Sequence, residues 1–271
     1  MELFFRESGS GCPLIILHGM YGSGDNWYSI ARELAGQFTV YLVDQRNHGN
    51  SPHHPEHNYS ILADDLYEFM KKRDIKQAIL LGHSMGGKAV MQFGLIHPEM
   101  VKKMIVVDIS PLSYAGENQS EEALTHIHII SSLLNLDIKS IKTREEADRN
   151  LSESIPSAMV RQFLLKSLKR RSDGHFEWVI NLDALEKNMN AIFDGVIDEN
   201  TTDPRSVPNF PLLFIKGGRS GYIREHDLKA IHHYFPGAVV SVIPNAGHWI
   251  HAEEPKAFLD ALRNFLDKEN C

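Results

Sequence analysis

Along this chain, short unbroken apolar runs alternate with stretches in which apolar residues return every third or fourth position. Pro13-Leu14-Ile15-Ile16-Leu17, Thr39-Val40-Tyr41-Leu42-Val43, Ile79-Leu80-Leu81 and Met104-Ile105-Val106-Val107 are runs of the kind a strand buried on both faces needs. Between them, residues 26–35 carry Trp27, Ile30, Ala31 and Leu34 at helical spacing. A second helix is predicted over about 61–73, and Lys88-Ala89-Val90-Met91-Gln92-Phe93 reads as a third. Strands alternating with helices at this rhythm predict an α/β fold with a mostly parallel sheet covered by helices on both faces.

The rhythm breaks after Pro111. From there to about Val207 the periodicity is helical, over 121–136, 143–154, 157–170 and 182–193. Thr143 is placed as an N-cap with Glu146 reaching back, and Phe176-Glu177-Trp178-Val179-Ile180 is the only extended stretch. Strand runs resume at Pro211-Leu212-Leu213-Phe214-Ile215 and over 239–243, with a helix over 225–234 between them and a last helix over 255–266. The expected organisation is one α/β core, residues 1–110 and 207–271, interrupted by a helical cap insertion at 111–206.

The apolar run at 79–81 leads straight into Gly82-His83-Ser84-Met85-Gly86-Gly87 and then a helix. This is the nucleophile-elbow pattern, a serine on a sharp strand-to-helix turn. Gly82 and Gly86 lack the Cβ atoms that would collide there, and the helix N-terminus offers N–H groups to a developing oxyanion. Ligand sites of parallel sheets lie outside the carboxyl ends of the strands. Met20, Ser84, Asp108 and His248 all follow predicted strands, so four chemically relevant positions converge on one edge.

Composition narrows the class. Hydrophobic residues make up 42% and charged residues 23%, as in a soluble globular protein, and a net charge of −7 argues against a nucleic-acid surface. Two cysteines, Cys12 and Cys271, imply no disulfide scaffold and allow a reducing cytosol. The first residues carry no signal-peptide pattern, and no segment is apolar enough to span a bilayer. A cytoplasmic protein is expected.

Four blocks in order, His18-Gly19, Asp44-x-Arg46-x-His48-Gly49-x-Ser51, Gly82-His83-Ser84-Met85-Gly86-Gly87 and Gly247-His248, resemble the α/β-hydrolase fold superfamily across nearly the whole chain. Asp44 to Pro52, Val107-Asp108-Ile109-Ser110-Pro111 and Lys216-Gly217-Gly218-Arg219-Ser220 are similar to the YbfF-type small esterases. Members of that branch are carboxylesterases, some acting on acyl-CoA thioesters. The resemblance implies a serine hydrolase of small-molecule carboxylic esters or thioesters, working through an acyl-enzyme and needing no cofactor or metal. Ser84 would attack the acyl carbonyl and His248 would carry the proton, while the N–H groups of Met20 and Met85 would hold the oxyanion. Tyr21 and Trp249, with Met20, are expected to wall the acyl pocket.

The acid departs from the superfamily pattern. The usual place, after the strand at 212–215, reads Lys216-Gly217-Gly218-Arg219-Ser220-Gly221-Tyr222-Ile223, with Ser220 where an Asp is expected. Asp108 is preferred as the acid, with Glu225 or Asp227 as alternatives. His53, His54, His57, His126 and His128 lack zinc spacing and read as surface residues. Asp44, Arg46 and His48 are expected to hold a loop, and Lys166, Lys169, Arg170 and Arg171 to form a solvated helix face. Two rivals stay open: a carbon–carbon bond hydrolase of the same fold, and a non-catalytic receptor or scaffold. Oligomeric state is not legible in the sequence.

Overall fold

In the computed structural model, which describes residues 1–115, 120–200, 202–204, 207 and 209–267, the unbroken apolar runs form the centre of a seven-stranded sheet. Both Cys271 and Ser206, the expected last residue of the insertion, lie outside the described residues. The strands are β1 (Phe5–Ser8), β2 (Cys12–Leu17), β3 (Phe38–Val43), β4 (Ala78–His83), β5 (Val101–Val107), β8 (Leu212–Gly217) and β9 (Val239–Ile243), in the order β1-β3-β2-β4-β5-β8-β9. All pairings are parallel except β1 on β3.

Strand alternation explains the double cover. Ile15, Leu17, Leu80, Val106 and Phe214 pack on one face with α2 (Tyr59–Lys72), α3 (Met85–Ile96) and α9 (Glu225–Tyr234). Their neighbours Leu14, Ile16, Leu81, Val107 and Ile215 point the other way, onto α1 (Tyr28–Leu34) and α11 (Pro255–Leu266). Successive side chains leave a strand on opposite faces, so a run with no polar interruption needs apolar partners on both.

Between β5 and β8 the described residues hold α4 (Glu121–Leu134), α5 (Arg144–Leu151), α6 (Ala158–Leu164), α7 (Leu182–Lys187) and α8 (Met189–Phe193). Several local expectations need correction here. Helix α6 ends at Leu164, and residues 168–170 form a strand, β6 (Leu168–Arg170), antiparallel to β7 (Phe176–Trp178). The turn between them uses Gly174 at φ 89°, a conformation that favours glycine. Lys169 and Arg170 therefore stand on a hairpin, not on the expected helix face. The helix predicted over 182–193 breaks at Asn188, whose side-chain amide donates to Ala184 O and to Pro55 O. Thr143 does cap α5, accepting from Glu146 N at 3.2 Å, but the Glu146 carboxylate reaches one residue further back, to Lys142 N at 2.7 Å. Strand β1 was not predicted, because Phe5-Arg6-Glu7-Ser8 has no apolar run and is an edge strand. No helix among the described residues is long and apolar enough to cross a membrane.

Candidate active site

Ser84 stands between β4 and α3 at φ 53°, ψ −121°, a backbone conformation that costs about 1–3 kcal/mol for a residue with a side chain. The surroundings enforce it. Ser84 N donates to Val107 O at 2.9 Å, and Gly87 N donates to Ser84 O at 2.8 Å. A Cβ on Gly82 would overlap the carbonyl of Gly86, and one on Gly86 would overlap the carbonyls of Leu17 and His18. The turn is closed by two bare backbones pressed together. Met85 begins α3, so its N–H has no intrahelical acceptor.

Asp108 leaves the end of β5 in a second left-handed conformation, φ 51°, and is fully buried. Its Oδ2 lies 2.8 Å from His248 Nδ1, and its Oδ1 accepts from Gly217 N at 2.9 Å. Ser220 donates its hydroxyl to the same Oδ2. Because β8 lies beside β5, the position where an acid is usual supplies a hydroxyl donor to a carboxylate on the neighbouring strand. The alternatives are elsewhere. Asp227 accepts from Ser110 Oγ at 2.6 Å and from Arg224 N at 2.7 Å, and Glu225 is exposed.

An Nδ1–H given to Asp108 leaves His248 Nε2 as the basic nitrogen. The ring stacks on Tyr222 at 3.8 Å with 18° between planes, and the His248 carbonyl accepts from His83 Nε2 at 2.9 Å. Among the described residues Ser84 Oγ is not hydrogen-bonded to His248; such contacts are often long until substrate is bound.

Ser84 and His248 line one cavity of about 320 Å³, whose walls include Met20, Tyr21, Phe163 and Trp249. Tyr21 and Trp249 are among the residues lining this cavity. A wider cleft of about 640 Å³ lies between Leu112–Ala115 and residues 194–200 with Thr202, and neither Ser84 nor His248 lines it. Sequence reasoning missed Tyr222 and His126, which pair side chain to side chain at 2.7 Å, and Ile129, Val160 and Leu164. The i, i+3, i+4 spacing of Val160, Phe163 and Leu164 on one helix face is a signal for Val160 and Leu164 alone.

Two histidine assignments are overturned. His57 is fully buried, and His126 lines the cavity rather than the surface. Asn47 Nδ2 lies 3.3 Å from His57 Nδ1, and His57 Nε2 lies 3.3 Å from Met85 Sδ. His57 is thus packed between the 44–57 loop and the start of α3, while His126, on α4, is held by the Tyr222 hydroxyl at 2.7 Å. The Asp44–His48 block fits its expected scaffolding part: Asp44 accepts from Gly24 N and Asn50 N, and Arg46 makes a bidentate pair with Asp65.

Burial, as the first cause, lowers the imidazole pKa of six histidines: His18, His48, His57, His83, His126 and His251, with His57, His126 and His251 at about 3. In the unfolded chain each takes a proton near 6.5. Below that pH the unfolded state binds more protons than the fold, so stability falls as pH falls, by up to about 1.4 kcal/mol per histidine per pH unit. The three rings held near 3 are alone enough to remove the lower part of a typical stability of about 5–15 kcal/mol within roughly two units. Thermal melts should therefore show Tm dropping steeply below about pH 6. A Tm that stays level down to about pH 4.5 would mean the buried rings protonate inside the fold.

Residues 13–255 match the family model described as alpha/beta hydrolase fold. The chain is 47% identical to a marine microorganism esterase of known structure, with a TM-score of 0.92 over 98% of this chain and 99% of that one. It is 34% identical to Esterase YbfF of Escherichia coli, covering 97% of this chain and 96% of that protein. It is also 33% identical to the sn-1-specific diacylglycerol lipase ABHD11 of Mus musculus, covering 93% of this chain and 80% of the relative.

Proposed function

From its membership of the alpha/beta hydrolase fold family, as an ester hydrolase of the esterase/lipase type, we propose that this chain cleaves carboxylic esters or thioesters, acyl-CoA esters included, through an acyl-enzyme on Ser84. The observation that carries this reading is the His248 Nδ1–Asp108 Oδ2 contact of 2.8 Å at the sheet edge that also holds Ser84. In the first half-reaction Ser84 Oγ attacks the acyl carbonyl while His248 Nε2 takes its proton. The oxyanion forms beside the N–H groups of Met20 and Met85. The imidazolium, stabilised by Asp108, returns the proton to the departing alcohol or thiol, and water repeats the sequence to release the acid. Asp108 is the acid of this reading, because Asp227 is engaged by Ser110 and Arg224 and Glu225 is exposed.

The same reading divides the chain into a core, 1–110 and 207–271, and a cap, 111–206. Its support is that α4 and α6 contribute Ile129, Val160, Phe163 and Leu164 to the cavity above Ser84. A p-nitrophenyl ester of a short acid should give a burst of p-nitrophenol, and a fluorophosphonate probe should label Ser84 alone. Labelling at another residue, or none, would overturn the serine mechanism.

At about 320 Å³ the cavity is near the small end of the usual range of about 300–1,000 Å³, which favours short acyl chains. Phe163, 5.5 Å from the Trp249 ring, is the bulkiest cap residue on that wall. Phe163→Ala should raise the hexanoyl-over-butyryl ratio of kcat/KM by at least about tenfold while Ser84 labelling persists. An unchanged ratio would remove the cap from substrate selection.

A further inference from the structure

His248 is gripped through its ring by Asp108 and Tyr222 and through its carbonyl by His83, yet none of these holds the backbone on either side of it. That hold comes from Glu253, at the end of the short helix α10 (Ile250–Glu253). Glu253 Oε2 accepts from Gly247 N at 2.8 Å, and Oε1 accepts from Trp249 N at 3.2 Å. One carboxylate thus bridges the residues immediately before and after His248. Arg219, on the loop after β8, adds a contact from Nη2 to Oε2 at 3.2 Å. The Glu253 side chain is 13% exposed, whereas that of Arg219 is 67% exposed.

The geometry points to Glu253 as a positioning residue for the reaction proposed above, a clamp that fixes the direction in which the His248 ring leaves the backbone. The inference rests on that reading. Both N–H groups need acceptors, and only a carboxylate offers two acceptor oxygens and no donor. Glutamine in the same place would turn an NH₂ toward one of the two N–H groups. Gly247 lies against the clamp: a Cβ there would stand 3.0 Å from Oε1 and 3.2 Å from Oε2, so the carboxylate would have to give by a few tenths of an ångström. Freed from the clamp, rotation about the bonds flanking His248 would swing Nε2 away from Ser84, and misplacement by about 1 Å can cost about 10²-fold in rate.

The test uses the full chain with p-nitrophenyl butyrate. Glu253→Gln should lower kcat by about 10²-fold with KM within about threefold, the split of a positioning loss rather than a binding loss. Active-site titration with a fluorophosphonate should still count a full complement of folded Ser84. The far-downfield proton resonance of His248 Nδ1–H, sharp in the wild type, should broaden. Gly247→Ala, which presses a Cβ against the intact carboxylate, should lower kcat less than Glu253→Gln does, and the double variant should be no worse than Glu253→Gln alone. Arg219→Ala should stay within about threefold of wild type, because exposed ion pairs contribute little. Wild-type kcat in a folded Glu253→Gln protein would overturn the clamp, as would a loss that only tracks the titratable fraction. If Glu253→Gln does not fold, full activity in Glu253→Asp, whose carboxylate is one methylene short of the two N–H groups, overturns it. A wild type that neither turns over nor labels would sink the esterase reading instead, and the Nδ1–H resonance would still test the clamp.

Discussion

Asp108→Asn is expected to lower kcat by about 10³- to 10⁴-fold while the protein keeps its fold. The carboxylate accepts from Gly217 N on one oxygen and from His248 Nδ1 and Ser220 Oγ on the other. An amide is nearly isosteric but carries only one acceptor. With its oxygen turned to Gly217 N–H, its NH₂ faces His248 Nδ1, which must then accept, and the ring is driven into the tautomer with Nε2 protonated. That tautomer cannot take the proton of Ser84. Ser220→Ala removes a supporting donor and leaves the charge, so a loss below about tenfold is expected. Asp227→Asn should cost about 1 kcal/mol of stability as a weakened helix cap and leave kcat within about tenfold. Steady-state kinetics beside thermal melts separate these outcomes. A crippling Asp227→Asn with a mild Asp108→Asn would move the acid to the other strand.

Ser84→Ala is expected to abolish ester turnover, a fall of about 10⁶-fold in kcat, with no fluorophosphonate label remaining. The hydroxyl is the only nucleophile in this reading, and the residual rate would come from the oxyanion donors and binding. The backbone at this position, φ 53°, adds a second readout. Glycine tolerates that conformation and alanine does not, so Ser84→Gly should melt above Ser84→Ala although both are inactive. Turnover surviving Ser84→Ala within tenfold would exclude the acyl-enzyme. Equal melting temperatures would mean the turn holds no strain.

Much of this was legible along the chain because it is local. An unbroken apolar run can satisfy its side chains only between two covering layers, so residues 13–17, 79–81 and 104–107 specified a doubly covered sheet before any contact was known. The Gly-x-Ser-x-Gly spacing likewise determined where the sharp turn falls, since only glycines at 82 and 86 let strand and helix backbones meet. The Gly82 contact is with Gly86, four residues on, whereas the space Gly86 leaves is taken by Leu17 and His18 at the end of β2.

What the tertiary structure decided is non-local. Asp108 meets His248 and Ser220 because β5 pairs with β8 across an intervening stretch of about one hundred residues, and no local periodicity encodes that adjacency. The same reason hid His57 and His126. His57 lies in a polar loop and His126 on an amphipathic helix, and each reads as surface until another element closes over it, Met85 on the first and Tyr222 on the second. The β6–β7 hairpin replaced the predicted end of a helix because cross-strand pairing of 168–170 with 176–178 outweighed a helical spacing, a competition settled only when both segments are in contact. Spacing along the chain determines which side chains one element presents together; which elements face each other is set by packing and strand order, and there the acid was chosen.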